Sequence, residues 1–79
     1  MQYYIATPAQ LGPILQDRRK HRGLTQQELG ARVGLIQSAI ARAESNPGRM
    51  TTERLFRLLS GLGLELVLRD RTEPEPSEW

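Results

Sequence analysis

Gly23-Leu24-Thr25-Gln26-Gln27-Glu28-Leu29-Gly30-Ala31-Arg32-Val33-Gly34-Leu35-Ile36-Gln37-Ser38-Ala39-Ile40-Ala41-Arg42-Ala43-Glu44 is the stretch on which the fold turns. Thr25 and Glu28 have the spacing of a capping box, in which each side chain satisfies an orphan backbone donor at a helix start. Leu29 and Val33, four residues apart, share one face of the helix that this box opens. Gly34 ends it in the left-handed conformation that glycine tolerates. A further helix is expected over Gln37–Glu44, with Ile40 and Ala43 inward. Two such short helices joined by a glycine turn must cross steeply, and steep crossing sets narrow size limits. Leu29, Val33, Leu35 and Ile40 fill the wedge between them. Gly30 sits where the helices approach most closely and only a very small side chain fits, and Ala43 lets the second of the pair lie close to its neighbours. A generic helical bundle meets one or two of these demands, rarely all in register.

Outward from this pair, the rest of the chain reads as further helices and one odd segment. Thr7-Pro8-Ala9-Gln10 starts a helix, with a threonine cap, proline in the first turn and glutamine three residues after the cap. Leu11, Ile14 and Leu15 form its apolar stripe and Gly23 stops it. Pro13 is awkward, since an interior proline removes a hydrogen bond and clashes with the preceding turn. Either the helix kinks there or its regular part begins at Gly12-Pro13. Asn46-Pro47-Gly48 is a loop signal. Thr51 or Thr52 caps a last helix with Leu55, Phe56, Leu58, Leu59 and Leu62 on its apolar face, ended by Gly61 and Gly63. Leu64-Glu65-Leu66-Val67-Leu68 alternates with period two and reads as a short strand. A lone strand has no ladder partner in an otherwise helical chain, and unpaired backbone is costly. The same strand of a second copy, antiparallel about a two-fold axis, is the simplest partner, which assigns dimerisation to Leu64, Leu66 and Leu68. The alternative is extended coil packed on the last helix. The expected fold is therefore all-α: a four- to five-helix domain over residues 1–70 with a C-terminal strand that pairs in a dimer. Residues 71–79, polar and acidic with Pro74 and Pro76, are expected to be a disordered tail.

Composition narrows the function. Seventy-nine residues make one domain, and a chain this short buries only about 60% of its unfolded surface, so association helps it. There is no cysteine, hence no disulfide framework, thiolate metal site or cysteine nucleophile. His21 is the only histidine and stands apart from any ligand cluster, so no metal, cofactor or catalytic role is assigned and an enzyme is not expected. No basic segment followed by an apolar run opens the chain, and no apolar run approaches the ~20 residues that cross a bilayer, so a cytoplasmic protein is expected. The net charge of +2 is uneven: residues 1–69 carry ten Lys/Arg against five Asp/Glu, and residues 70–79 one against four. A basic body suits a polyanionic partner, although ordinary charge scatter gives similar totals.

The motif Arg19, Gly23-Leu24-Thr25-Gln26, Glu28-Leu29-Gly30, Gly34, Gln37, Ile40 and Glu44 resembles the helix-turn-helix of the Xre/lambda-repressor family, with similarity over about residues 8–64. Gly30 departs from the usual alanine, Ile36 from a polar cap, and Pro13 from the first helix of the pattern. The resemblance implies that the second helix of the pair enters the major groove with its N-terminal residues at base edges. It assigns DNA contact to Ile36, Gln37, Ser38, Ala39 and Arg42. Gln37 suits adenine bidentately, Arg42 guanine or a phosphate, and Ile36 a thymine methyl. Gln26, at the start of the preceding helix, suits a phosphate. An exposed glutamine or serine with no role but solvation is the plain alternative for each. In the family Arg19 and Glu44 pair across the first and third helices, a structural ion pair with no base to read. Arg18, Lys20, His21 and Arg22 fall either near the DNA backbone or at a solvated helix end.

A narrower resemblance adds partners. Thr7-Pro8-Ala9-Gln10-Leu11, Asn46-Pro47, the segment Leu64–Leu68 and an acidic tail ending in Trp79 look like the HipB antitoxins of the HipBA systems. That resemblance implies a homodimer on palindromic operator DNA, repression of its own operon, and a complex with a HipA-type toxin of serine/threonine-kinase fold. Trp79 is then the expected anchor in that partner, since desolvated aromatic residues dominate binding energy. Two other readings stay open. One is a stand-alone transcription regulator without a toxin. The other is a protein-interaction adaptor that has lost DNA binding, against which Gln26, Gln37 and Arg42 speak.

Overall fold

A computed structural model describes residues 1–71 of the 79. A 3-10 turn over Pro8–Gln10 leads into helix α1 (Leu11–His21), followed by α2 (Gln26–Val33), α3 (Gln37–Ser45), a second 3-10 turn over Pro47–Arg49 and α4 (Thr52–Gly61). The start of α2 matches the capping-box expectation: Thr25 Oγ1 accepts from the Glu28 amide at 3.0 Å and Glu28 Oε1 from the Thr25 amide at 2.8 Å. Thr51 caps α4 by accepting from the Arg54 amide at 3.1 Å. Pro13 lies near the start of α1. The 3-10 turn ends at Gln10 and the regular helix begins at Leu11, so the proline falls in the first turn, where amides have no intrahelical acceptor in any case.

Three helices end by one device. Gly23, Gly34 and Gly63 each adopt positive φ, at 71°, 77° and 71°, and the leucine after each donates its amide back five residues. Leu24 bonds the Arg19 carbonyl at 3.1 Å, Leu35 that of Gly30 at 2.8 Å and Leu64 that of Leu59 at 2.8 Å. This is the Schellman closure, and the leucine after the glycine is its hydrophobic contact. Leu24, Leu35 and Leu64 all pack against the core. The Gly-Leu dipeptide thus turns the chain and adds a side chain to the interior at the same step.

Leu15, Leu29, Ile40 and Leu58, one from each helix, and Leu62 at the end of α4 are fully buried, with Ala43 and Leu59 beside them. Helices α2 and α3 pack as a pair, α1 crosses α3 and α4 crosses α2. Close approach is secured by glycines. A side chain at Gly12 would strike the Glu44 carbonyl, one at Gly61 the Val33 side chain, and one at Gly30 the Leu35 carbonyl. Gly30 is therefore small because the turn, rather than the opposite helix, lies against it. Phe56 departs from the expected apolar face, being half exposed: Leu55, Leu58, Leu59 and Leu62 make the i, i+3, i+4, i+7 stripe and Phe56 falls outside it.

The expected strand over Leu64–Leu68 does not form within the chain; residues 64–71 have no regular secondary structure. The physical reason is the one that made it anomalous in the sequence: no other segment of the described residues offers a ladder. Leu64 is held by its place after Gly63, whereas Leu66, Val67 and Leu68 are exposed. Arg69 Nη2 donates to the Tyr4 hydroxyl at 2.9 Å and lies over its ring, tying this segment to the N-terminal arm. Trp79 and the acidic tail lie outside the described residues. No helix among the described residues is long and apolar enough to cross a membrane.

Candidate nucleic-acid interface

Helix α3 divides its residues cleanly between core and solvent. Ile40 and Ala43 face inward, and Gln37, Ser38 and Arg42 are exposed on the opposite side, with Ser38 and Arg42 one turn apart. Ile36, the residue before the helix, is 71% exposed. An apolar side chain left so open at a helix start gains nothing in the isolated chain. Ile36 also provides no side-chain cap, so the first amides of α3 keep unsatisfied donors beside the exposed Gln37 and Ser38. Ala39 is the least accessible of the expected set. It is only 6% exposed, because it stands one turn from Ala43 on the inward face.

Gln26, at the start of α2, joins this face through hydrogen bonds. Gln37 Nε2 donates to Gln26 Oε1 at 2.6 Å, and Gln26 Nε2 donates to Glu44 Oε1 at 3.1 Å. Glu44 is held in turn by Arg19, whose Nε donates to Glu44 Oε2 at 2.6 Å and whose Nη2 donates to Oε1 at 3.2 Å. Arg19 Nη1 donates to the Leu24 carbonyl at 2.8 Å. The Arg19–Glu44 pair across α1 and α3 is as expected, and both side chains are less than one-tenth exposed. The link from that pair to Gln26 and Gln37 was not legible in the sequence, because residues 18 and 11 positions apart give no periodic signal.

An open hollow of about 540 Å³ beside Ile36 and Gln37 is bounded by Gln27, Ala31 and Leu35. Gln27 and the methyl of Ala31 therefore border the same surface. Nothing in the sequence singles them out beyond a position one residue, and one further turn, after Gln26. Arg18, Lys20 and His21 lie in the last turn of α1 and Arg22 at its C-cap.

The surface so assembled has polar amides, a guanidinium and an exposed apolar side chain at α3 and the start of α2. Donors and acceptors of this kind match base edges in the major groove, which is wide enough to admit a helix. A family model described as helix-turn-helix matches residues 15–68. Antitoxin HipB of Escherichia coli K12 is 33% identical over 82 aligned positions, covering 95% of this chain and 93% of that protein. The HipB chain in a HipB–O1–O2 complex superimposes with a TM-score of 0.81 at 33% identity, covering 87% of this chain and 100% of that one. A chain in a HipA–HipB–O2–O3 complex gives 0.83 at 33% identity, over 91% of this chain and 100% of that one.

Proposed function

This chain belongs to the helix-turn-helix family and, within it, to the HipB antitoxins, and we propose that α3 is the element by which it reads operator DNA. It is an antitoxin and transcriptional autorepressor whose partners are operator DNA and a HipA-type kinase-fold toxin. The observation that carries the groove assignment is the outward row Ile36, Gln37, Ser38 and Arg42 on a helix whose other side is core. Gln37 reads adenine through its amide, Arg42 reads guanine or holds a phosphate, and Ile36 meets a thymine methyl. Gln26, through the side-chain N–H left after its bond to Glu44 and through the helix start it occupies, holds a phosphate, which positions the protein without carrying sequence information.

The protein acts as a homodimer whose two-fold matches a palindromic operator, with half-sites roughly one helical turn (~34 Å) or a multiple of it apart. Leu66, Val67 and Leu68, exposed in the single chain, support a C-terminal ladder between copies, with Leu64, Leu66 and Leu68 on its inner face. Trp79 is the anchor offered to the toxin, as an aromatic side chain gains most when a partner desolvates it.

Fluorescence anisotropy with DNA from upstream of its own gene tests the groove assignment. Gln37→Ala and Arg42→Ala should each weaken operator binding by about 1–3 kcal/mol with the helical circular dichroism unchanged. A Gln37→Ala protein that binds operator and scrambled DNA as the parent does would remove α3 from the groove.

A further inference from the structure

The chain of hydrogen bonds from the buried ion pair to the surface has a direction. Glu44 Oε1 accepts from Gln26, and Gln26 Oε1 accepts from Gln37. A carboxylate can only accept, so whatever amide meets Glu44 must turn its NH₂ inward. Arg19, a donor only, holds that carboxylate charged and fixed from the other side. Gln26 is thereby obliged to point its carbonyl outward, where it takes one N–H of Gln37. Each side-chain amide along the relay inherits its orientation from the charge at its buried end.

We propose that Glu44, acting through Gln26, is a positioning residue for base recognition: it fixes which end of the Gln37 amide faces the DNA. After one N–H is spent on Gln26, Gln37 retains one N–H and its carbonyl oxygen. These are the donor and acceptor that adenine N7 and N6–H require, presented in a set order. A glutamine free to rotate offers the same groups in either order and loses rotamer freedom on binding. The pair that sequence reading treats as purely structural thus also sets specificity. The proposal rests on Gln37 reading a base.

The test measures affinity for a panel of operators in which each base pair of a half-site is replaced in turn. The base pair read by Gln37 is the one whose replacement ceases to matter in Gln37→Ala. The parent should discriminate there by about tenfold or more. Glu44→Gln supplies an amide that can donate or accept, so polarity is no longer imposed. Gln26→Met cuts the relay and leaves the ion pair intact. Each variant should lose discrimination at that one base pair, to within about threefold, and keep it elsewhere in the half-site. Gln26→Met should in addition lose affinity for every operator alike, as the removal of a phosphate contact would by itself. A purely structural Glu44 predicts weaker binding with unchanged base preference. Thermal melts establish that Glu44→Gln is folded; should it not be, Gln26→Met decides. Full discrimination retained by either folded variant, while Gln37→Ala loses it, overturns the relay and leaves the groove assignment standing. If Gln37→Ala alters discrimination at no base pair, the groove assignment itself fails and the relay with it.

Discussion

Arg19 and Glu44 form a buried ion pair, and the balance there is set by desolvation. Two charges less than one-tenth exposed lose most of their hydration, and their mutual attraction offsets that loss only because the geometry is close to ideal. Arg19 spends three donors on two acceptor groups, the Glu44 carboxylate and the Leu24 carbonyl. It thereby joins α1 to α3 and to the closure that ends α1. Removing one partner is far worse than removing both, since the survivor is left charged in a dry site. Arg19→Ala should therefore destabilise the fold by about 3–5 kcal/mol, a large part of the roughly 5–15 kcal/mol typical of whole domains. Urea unfolding followed by circular dichroism measures this. A loss below about 1 kcal/mol would place the pair with exposed ion pairs of little consequence.

Among the elements, α2 depends most on its ends, being eight residues long with Gly30 in its middle. A helix of two turns is marginal from propensity alone, so the Thr25–Glu28 box and the Gly34 closure matter. The Glu28 carboxyl lies below the ordinary carboxylate range, chiefly because the Thr25 amide bonds it, then through the Thr25 hydroxyl, with Arg32 adding a smaller attraction. Its folded pKa is below the unfolded one, so the stabilisation is fully present above the ordinary carboxylate range and is lost as pH falls through the depressed value. Glu28→Gln keeps a side chain able to accept from the Thr25 amide but removes the ionisation. The parent's advantage over this variant in thermal melts should be greatest near neutral pH and vanish in acid. An advantage independent of pH would show that the charge contributes nothing. The box, the Gly34 turn and the inward residues Leu29, Ile40 and Ala43 were all legible in the sequence, because capping and turn chemistry are local and helical period is regular. The outward turn of Phe56 was not, since a one-residue error in helical phase moves a side chain about 100° around the axis. The Gln26–Glu44 contact was not either, as it depends on how two helices cross rather than on spacing within one.

For the whole molecule, the unmet demand is the segment after α4. Gly63 and Leu64 close that helix, and Leu64 packs against the core, which fixes the phase of the residues beyond it. In an extended chain Leu66 and Leu68 share the face of Leu64, yet they are 50% and 89% exposed because the core ends beneath Leu64. The Arg69–Tyr4 contact keeps this segment beside the N-terminal arm and so limits where a partner can approach. In the proposed dimer a second copy related by a two-fold axis would supply both the missing ladder bonds and an apolar cover, and would place two α3 helices on successive half-sites of a palindrome. Leu66→Pro tests this, because proline removes a ladder donor at a position outside the core, so the helical domain should still fold. Sedimentation velocity at about 10 µM should then show a dimeric parent, as expected for a strand-paired interface of at least micromolar affinity, about −8 kcal/mol or better, and a monomeric variant. Operator binding by the variant should lose cooperativity between half-sites, while each half-site keeps its base preference, since α3 is untouched. A parent that remains monomeric, or a Leu66→Pro protein that dimerises as well as the parent, would mean that some surface other than the C-terminal segment joins the copies.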